Sequence, residues 1–121
     1  MSWLLVALGG AIGSVARYGV WRLWPAVPGG WPVPTMTVNL LGSFAIGLFY
    51  IYITARGGSP DQARLFWMTG VLGGFTTYSA FALESALLGF SATGVAYMLA
   101  TFAGCLIAAF AGMKIGTVLV G

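Results

Sequence analysis

The chain has 121 residues, of which 60% are hydrophobic and 6% are charged, and its mean hydropathy is +0.96. A soluble domain carries roughly a quarter charged residues, so this composition predicts an integral membrane protein. At about 20 residues for each crossing, four transmembrane helices account for nearly the whole length. The apolar runs are continuous rather than alternating, which argues against a β-barrel.

The ionisable side chains are too few for most kinds of enzyme. Histidine is absent, Asp61 and Glu84 are the only acids, and Cys105 is the only cysteine. The chain therefore lacks paired carboxylates at a useful spacing, a histidine-based triad and a cluster of metal-binding side chains. Its net charge of +3 comes from five scattered basic residues, which form no patch for nucleic acid. We expect a membrane protein that is not an enzyme and has no nucleic-acid partner.

The first predicted span covers residues 3–24. Gly9 and Gly13 lie four residues apart there, a spacing that allows two helices to approach closely. Arg17 follows one turn later, still inside the span, where an arginine must reach the surface, pair with an acid or face water. Two interpretations stay open: Arg17 extends to the nearer membrane surface, or it has a structural or anion-attracting role inside the assembly.

A polar stripe runs along one face of the second predicted span, residues 35–54. Thr35, Asn39 and Ser43 recur every four residues and therefore share one face of the helix. The Asn39 amide lies near the middle of the membrane, where an unsatisfied polar group is costly. It could hydrogen-bond to another helix, which is a common role for such a residue. The hydroxyls above and below it favour the alternative, the lining of a hydrated path.

The third predicted span, residues 65–90, contains residues near its centre that weaken a helix. Gly73 and Gly74 destabilise helical backbone, and Thr76 and Thr77 then offer oxygens that can cap a new helix. A continuous helix with a small-residue packing face is one interpretation, and a span broken at mid-membrane is the other. Broken spans mark ion sites, because their half-helices expose carbonyl and N–H groups. The polar stripe in the second span favours the break.

Aromatic and polar side chains follow the two threonines. Tyr78 and Phe81 lie three residues apart and share a helix face, with Ser79 beside them. Such a pair is ordinarily a packing contact. Glu84, one turn beyond Phe81, is the only acid expected within a span, where it either lies near an aqueous vestibule or pairs with an arginine.

The fourth predicted span, residues 92–119, has a small residue at every fourth position over much of its length. These positions predict tight packing against another helix, and they are Ala100, Gly104, Ala108, Gly112 and Gly116. Thr101 and Cys105 lie one position round from that face and form a short, weakly polar stripe.

The basic residues give only a weak preference for one orientation in the membrane. With four spans, Arg56, Arg64 and Lys114 lie on one side, against Arg22 and, if it extends outward, Arg17 on the other. The positive-inside rule therefore hardly distinguishes the two orientations. A protein that inserts both ways round would have this pattern.

Three motifs resemble those of the Fluc (CrcB-type) fluoride channels, in the same order and over essentially the full length. The first leads to Arg17, the second surrounds Asn39, and the third ends at Phe81. The matching positions are Gly9, Gly10, Gly13, Arg17 and Tyr18; then Thr37, Asn39, Gly42, Ser43 and Gly47; then Gly70, Gly73, Gly74, Thr76, Thr77, Tyr78, Ser79 and Phe81. The resemblance implies a passive, fluoride-selective channel that exports this toxic anion across the plasma (cell inner) membrane.

The resemblance also implies an antiparallel, dual-topology homodimer in the lipid bilayer, all-α, with two pores and a broken third helix. A structural sodium ion at its centre would be bound by backbone carbonyls of Gly73 and Thr76, and there would be no organic cofactor. The pore would comprise an asparagine, an aromatic pair and a polar track: Asn39, Tyr78, Phe81, Ser79, Thr35, Thr77, Thr101 and Cys105. Arg17 and Glu84 would have vestibule or structural roles.

Two positions depart from the family pattern. Relatives usually have phenylalanine where this chain has Tyr78, and commonly a hydroxyl residue where it has Cys105. A tyrosine retains the positively polarised ring edge and adds a phenol that can donate to fluoride or obstruct its path. We therefore expect the conductance to differ while the anion selectivity is retained.

Two other functions suit a small helical membrane chain. A proton-coupled exporter needs a proton-carrying acid well inside the membrane, typically in its first span, and Glu84 alone is a weak candidate. A non-transporting structural subunit would account for the glycines but leave the stripe of Thr35, Asn39 and Ser43 without a role. We favour the channel over both.

Overall fold

The computed structural model describes residues 1–25, 27–56 and 60–121. Three long helices are continuous: α1 (Ser2–Leu23), α2 (Val33–Arg56) and α6 (Ala92–Val120). Between α2 and α6, the chain forms α3 (Pro60–Ala63), a π-helical segment (Arg64–Leu72), α4 (Gly73–Phe75) and α5 (Tyr78–Leu88). The described residues contain no β-strand.

Four stretches of helix are long and apolar enough to cross a membrane, and they are Ser2–Leu23, Val33–Ala55, Asp61–Leu88 and Ala92–Val120. The third begins at Asp61, before residue 65 where the sequence suggests its start. It ends at Leu88 because Gly89 adopts a positive φ of 65°, which stops the helix. The prediction of an all-α membrane protein with four spans is confirmed.

The third span is broken at its centre, as the glycine and threonine pairs predict. Thr76 and Thr77 have extended backbone, with ψ angles of 158° and 113°, so the helix is interrupted between α4 and α5. Thr77 begins the next helix as its N-cap, and its hydroxyl accepts the Ala80 N–H at 3.2 Å. We call residues 60–75 the first half-helix and α5 the second half-helix.

Glycines allow α1 to lie directly against the first half-helix. A β-carbon on Gly13 would collide with the Val71 carbonyl oxygen, and one on Gly9 would lie 2.9 Å from the Gly70 α-carbon. The two backbones therefore touch with no side chain between them. The small pair of the first span thus positions the helix that leads to the break.

The most extensive packing in the described chain is between α2 and α6. A β-carbon on Gly112 would collide with the Phe44 carbonyl oxygen, and one on Gly47 would collide with the Ala109 carbonyl oxygen. The expectation of a tightly packed face on the fourth span is therefore met by α2. This close pair holds the polar stripe of α2 and that of α6 at a fixed separation.

The second half-helix packs only lightly, against α6 and α2. Tyr78 at its start is 81% exposed, and Leu83 and Leu87 are also exposed. Gly73, on the other side of the break, is exposed as well. One side of the break is therefore uncovered in a single chain.

Candidate functional site at the break

Asn39 binds the backbone at the break through both polar atoms of its side chain. Its Oδ1 accepts the Thr77 N–H at 2.9 Å, and its Nδ2 donates to the Thr77 carbonyl oxygen at 3.1 Å. Asn39 is only 9% exposed, so these bonds satisfy groups that would be costly to bury unpaired. The amide nitrogen carries a second hydrogen, which is available to another acceptor. Asn39 can therefore hold the break and donate to a ligand at the same time.

Two carbonyl groups at the break lose the partners that a continuous helix would give them. In such a helix, the Gly73 carbonyl would accept the Thr77 N–H, and the Thr76 carbonyl would accept the Ala80 N–H. Those N–H groups donate instead to the Asn39 and Thr77 side chains. The carbonyls of Gly73 and Thr76 therefore lack their helical N–H partners. They are the same two carbonyls that the resemblance assigns to sodium.

Hydroxyl groups surround the extended backbone. The Thr76 hydroxyl donates to the Leu72 carbonyl oxygen at 3.0 Å, which ties it to the end of the first half-helix. The Thr77 and Ser79 hydroxyl oxygens are 3.4 Å apart, and Ser79 is exposed. Ser79 therefore presents a polar group on the uncovered side of the break.

A cavity of about 710 Å³ joins the break to the facing sides of α2 and α6. Seven of the predicted site residues line it: Asn39, Gly73, Thr76, Tyr78, Phe81, Thr101 and Cys105. Gly42 also lines it, and a β-carbon there would collide with the Thr76 methyl group. A largely apolar wall with a few converging polar groups is typical of a site for a small ligand.

The remaining predicted residues lie outside the lining of this cavity. Thr35 is fully buried one turn before Asn39, and Thr77 lies behind the Asn39 amide. Arg17 is apart from it, with its guanidinium carbon 5.9 Å from the centre of the Trp21 ring, one turn further along α1. That contact is consistent with an arginine that extends toward the helix end.

The predicted aromatic pair is in contact and continues into a third ring. The ring centroids of Tyr78 and Phe81 are 5.9 Å apart at an interplanar angle of 62°. Phe81 lies 5.4 Å from Tyr97 of α6. The three rings thus form a continuous series from the exposed side of the break to α6.

Five buried side-chain oxygens have no hydrogen-bond partner within the described residues. They belong to Thr35, Glu84, Ser85, Tyr97 and Thr101. Buried polar atoms are ordinarily paired, and three of these residues, Glu84, Tyr97 and Thr101, lie near one another. The Tyr97 hydroxyl interacts electrostatically with Glu84, Thr101 and Cys105, so Glu84 faces this polar group.

Tyr97 and Ser85 are buried polar residues near the site that the sequence motifs do not single out. Tyr97 precedes Thr101 by four residues and so extends the polar stripe of α6 by one turn. Ser85 likewise follows Phe81 by four residues, on the same face of α5. That spacing is the available signal, but a lone tyrosine or serine in a membrane helix is weak evidence for a site.

Comparison with known proteins agrees with the motifs. A family model described as "CrcB-like protein, Camphor Resistance (CrcB)" matches residues 4–113. Two similar proteins, each named "Fluoride-specific ion channel FluC", come from Rhizobium meliloti (strain 1021) and Agrobacterium fabrum (strain C58 / ATCC 33970). They are 44% and 45% identical to this chain over 117 residues, covering 93% of both chains in each case. A protein of the same name from Paracoccus denitrificans (strain Pd 1222) is 44% identical over 118 residues, covering 95% of this chain and 94% of its own. The chain therefore belongs to the CrcB family.

Proposed function

We propose that the protein is a fluoride-selective passive ion channel, a multi-pass protein of the cell inner membrane that exports fluoride. The observation that carries the proposal is the cavity at the break, where Asn39, both rings of the aromatic pair and the polar residues of α6 meet. The similar proteins named fluoride-specific ion channels support the choice of anion.

The groups around the cavity suit a small, strongly hydrated anion. A pore must replace the water around fluoride with donors at close range. The free hydrogen of the Asn39 amide is one such donor, and the hydroxyl of Thr101 and the thiol of Cys105 lie in the same cavity. The ring edges of Tyr78 and Phe81 add partial positive charge without a fixed cation that would retain the anion.

A second copy of the chain would cover the break. Irregular backbone at membrane depth is tolerated only where protein or a water-filled cavity covers it. Here Gly73, Tyr78 and Ser79 are exposed at that depth. The weak charge bias is compatible with two copies in opposite orientations, so we propose an antiparallel homodimer.

The released carbonyls of Gly73 and Thr76 fit a sodium ion shared by the two subunits. Sodium, like other hard cations, prefers oxygen ligands, and two carbonyls from each chain would supply four. No group of three His, Cys, Asp or Glu side chains within residues 1–25, 27–56 and 60–121 could hold a metal instead. The ion would neutralise the carbonyl dipoles that face one another across the dimer axis.

Sodium dependence tests this part of the proposal. The purified protein should melt at a lower temperature, and release its partner more readily, when sodium is replaced by a large organic cation. Equal melting and equal dimer content in the two buffers would contradict a sodium site at the break.

Fluoride efflux from liposomes tests the transport function. Vesicles that hold the purified protein should lose fluoride rapidly and retain chloride, with or without a proton gradient. Dependence on a proton gradient would favour a proton-coupled exporter, for which the partnerless Glu84 oxygen is the one supporting observation. Absence of any flux from well-folded protein would favour a structural subunit.

A further inference from the structure

A row of four aromatic rings extends from the break to the connection between α1 and α2. Tyr78 and Phe81 begin the row, and Tyr97 follows 5.4 Å from Phe81. Trp31 completes it, with its ring 5.7 Å from Tyr97 and nearly perpendicular at 86°. Trp31 is thus the outermost ring of a row whose inner end is the aromatic pair of the proposed pore.

The ring of Tyr97 contacts two other aromatic rings, and its hydroxyl lies near Glu84 and Thr101. Its side chain is 0% exposed, and its hydroxyl has no partner in the part of the chain that the structure describes. The contacts with Phe81 and Trp31 therefore restrict the orientation of the ring itself.

Trp31 is itself held firmly. Its indole N–H donates to the Met36 sulfur at 3.0 Å, and its carbonyl accepts the Val33 N–H at 2.8 Å. Pro32 follows and restricts the backbone of Trp31 to extended conformations. Because its N–H group is already bonded, Trp31 is not a free donor for an anion, and its contribution is its ring.

We infer that Trp31 is a positioning residue of the pore, which holds the ring of Tyr97 and, through it, that of Phe81 in the arrangement that fluoride passage requires. This inference rests on the proposed channel function. It links three segments that are distant in sequence: the connection after α1, the second half-helix and α6. The residue acts through the tyrosine and does not itself contact the ion.

Single substitutions at Trp31 provide the first test, with fluoride efflux from liposomes as the readout. A misplaced group can slow a reaction by up to about a hundredfold, so we expect Trp31→Ala and Trp31→Leu to slow efflux at least about tenfold. Trp31→Phe retains a ring beside Tyr97 and should stay within about threefold of the parent protein. Trp24→Ala is the matched control, because Trp24 is exposed and outside the row.

A double-mutant cycle separates positioning from a general structural role. If Trp31 acts through Tyr97, Trp31→Leu should add no further slowing to a protein that already carries Tyr97→Leu. Additive slowing would overturn the inference. Parent-like efflux in Trp31→Leu would overturn it as well, as would slowing by Trp31→Phe as large as that by Trp31→Leu.

Folding is measured alongside transport, through the melting temperature and the dimer content of each variant. Where Trp31→Ala fails to fold, the comparison of Trp31→Leu with Trp31→Phe decides. Failure of the parent protein to pass fluoride would overturn the proposed function and this inference with it. Parent efflux that persists in Trp31→Leu would overturn the positioning role alone.

Discussion

Backbone polar groups are hydrogen-bonded differently in the α2–α6 pair and at the break in the third span. Within α2 and α6, backbone groups bond inside each helix, and glycines such as Gly112 let the two helices touch. At the break, the side chains of Asn39 and Thr77 bond the N–H groups, so that nearby carbonyls are released. The α2–α6 pair is a stable scaffold. The break is less stable than a continuous helix, but it leaves carbonyl groups that can bind a ligand.

The two regions should therefore respond to different kinds of substitution. Added volume should disrupt the α2–α6 contact, which contains no space for it. Loss of a hydrogen-bonding group should disrupt the break, which depends on particular donors and acceptors. Substitutions in each region test that distinction, and the largest effect is expected in the α2–α6 contact.

Gly112→Leu should prevent folding. A β-carbon at Gly112 would collide with the Phe44 carbonyl oxygen, and neither backbone can move without separating α2 from α6. We expect little monodisperse protein after extraction in detergent. Gly19→Leu is the control, because no described atom beyond the neighbouring backbone of its own helix lies within 4 Å of a β-carbon at Gly19. Normal folding of Gly112→Leu would contradict the close contact.

Asn39→Leu should abolish fluoride transport and weaken the fold. It leaves the buried Thr77 N–H and carbonyl unpaired, at a cost of about 2–6 kcal/mol together. It also removes the donor that faces the cavity. Fluoride efflux and thermal melting in detergent measure the two effects. Thr54→Ala, at the exposed end of α2 and outside the cavity lining, should change both much less. Equal effects of the two variants would contradict the role of the Asn39 hydrogen bonds to Thr77.

Thr77→Ala should have an intermediate effect. It removes the cap on the second half-helix, which is worth about 1 kcal/mol, and frees the Ala80 N–H to compete for the Thr76 carbonyl. We expect a lower melting temperature and a weaker response to sodium. Thr77→Ser retains the capping oxygen and should resemble the parent protein. A loss of stability that Thr77→Ser shares would show that the methyl group matters rather than the cap.

Tyr78→Phe should have the smallest effect. The aromatic ring that contacts Phe81 is retained, so the fluoride rate should change by less than about threefold and chloride should stay excluded. A faster rate would mean that the phenol obstructs the path, and a slower rate would mean that it donates to the ion. Tyr78→Leu, which has no ring, should lose most of the rate. Equal rates in Tyr78→Phe and Tyr78→Leu would contradict a role for the ring edge.

The features that depend on residues close together in the chain could be predicted from the sequence. Hydropathy predicted four spans, and Gly73, Gly74, Thr76 and Thr77 predicted the break because these residues weaken and then restart a helix wherever they occur. The motif around Asn39 indicated an important amide. The hydrogen bonds of Asn39 to the N–H and carbonyl of Thr77 could not be predicted from the sequence, because the two residues lie 38 positions apart.

The rest of the site depends on packing between distant segments. Trp31, Tyr97 and Phe81 form consecutive contacts only because the connection after α1 brings Trp31 against Tyr97 of α6, which in turn contacts Phe81 of α5. No periodicity in a single helix encodes that row. The π-helical segment Arg64–Leu72 is likewise invisible in the sequence, since its composition is that of an ordinary apolar helix.

The most direct measurement of the central claim is the fluoride current through the protein in a planar bilayer. Passive permeation through the break predicts a current that reverses at the equilibrium potential of fluoride and does not shift when a pH gradient is imposed. A chloride gradient should not shift it either. A reversal potential that follows the pH gradient, or the absence of current from folded dimers that bind sodium, would contradict the account.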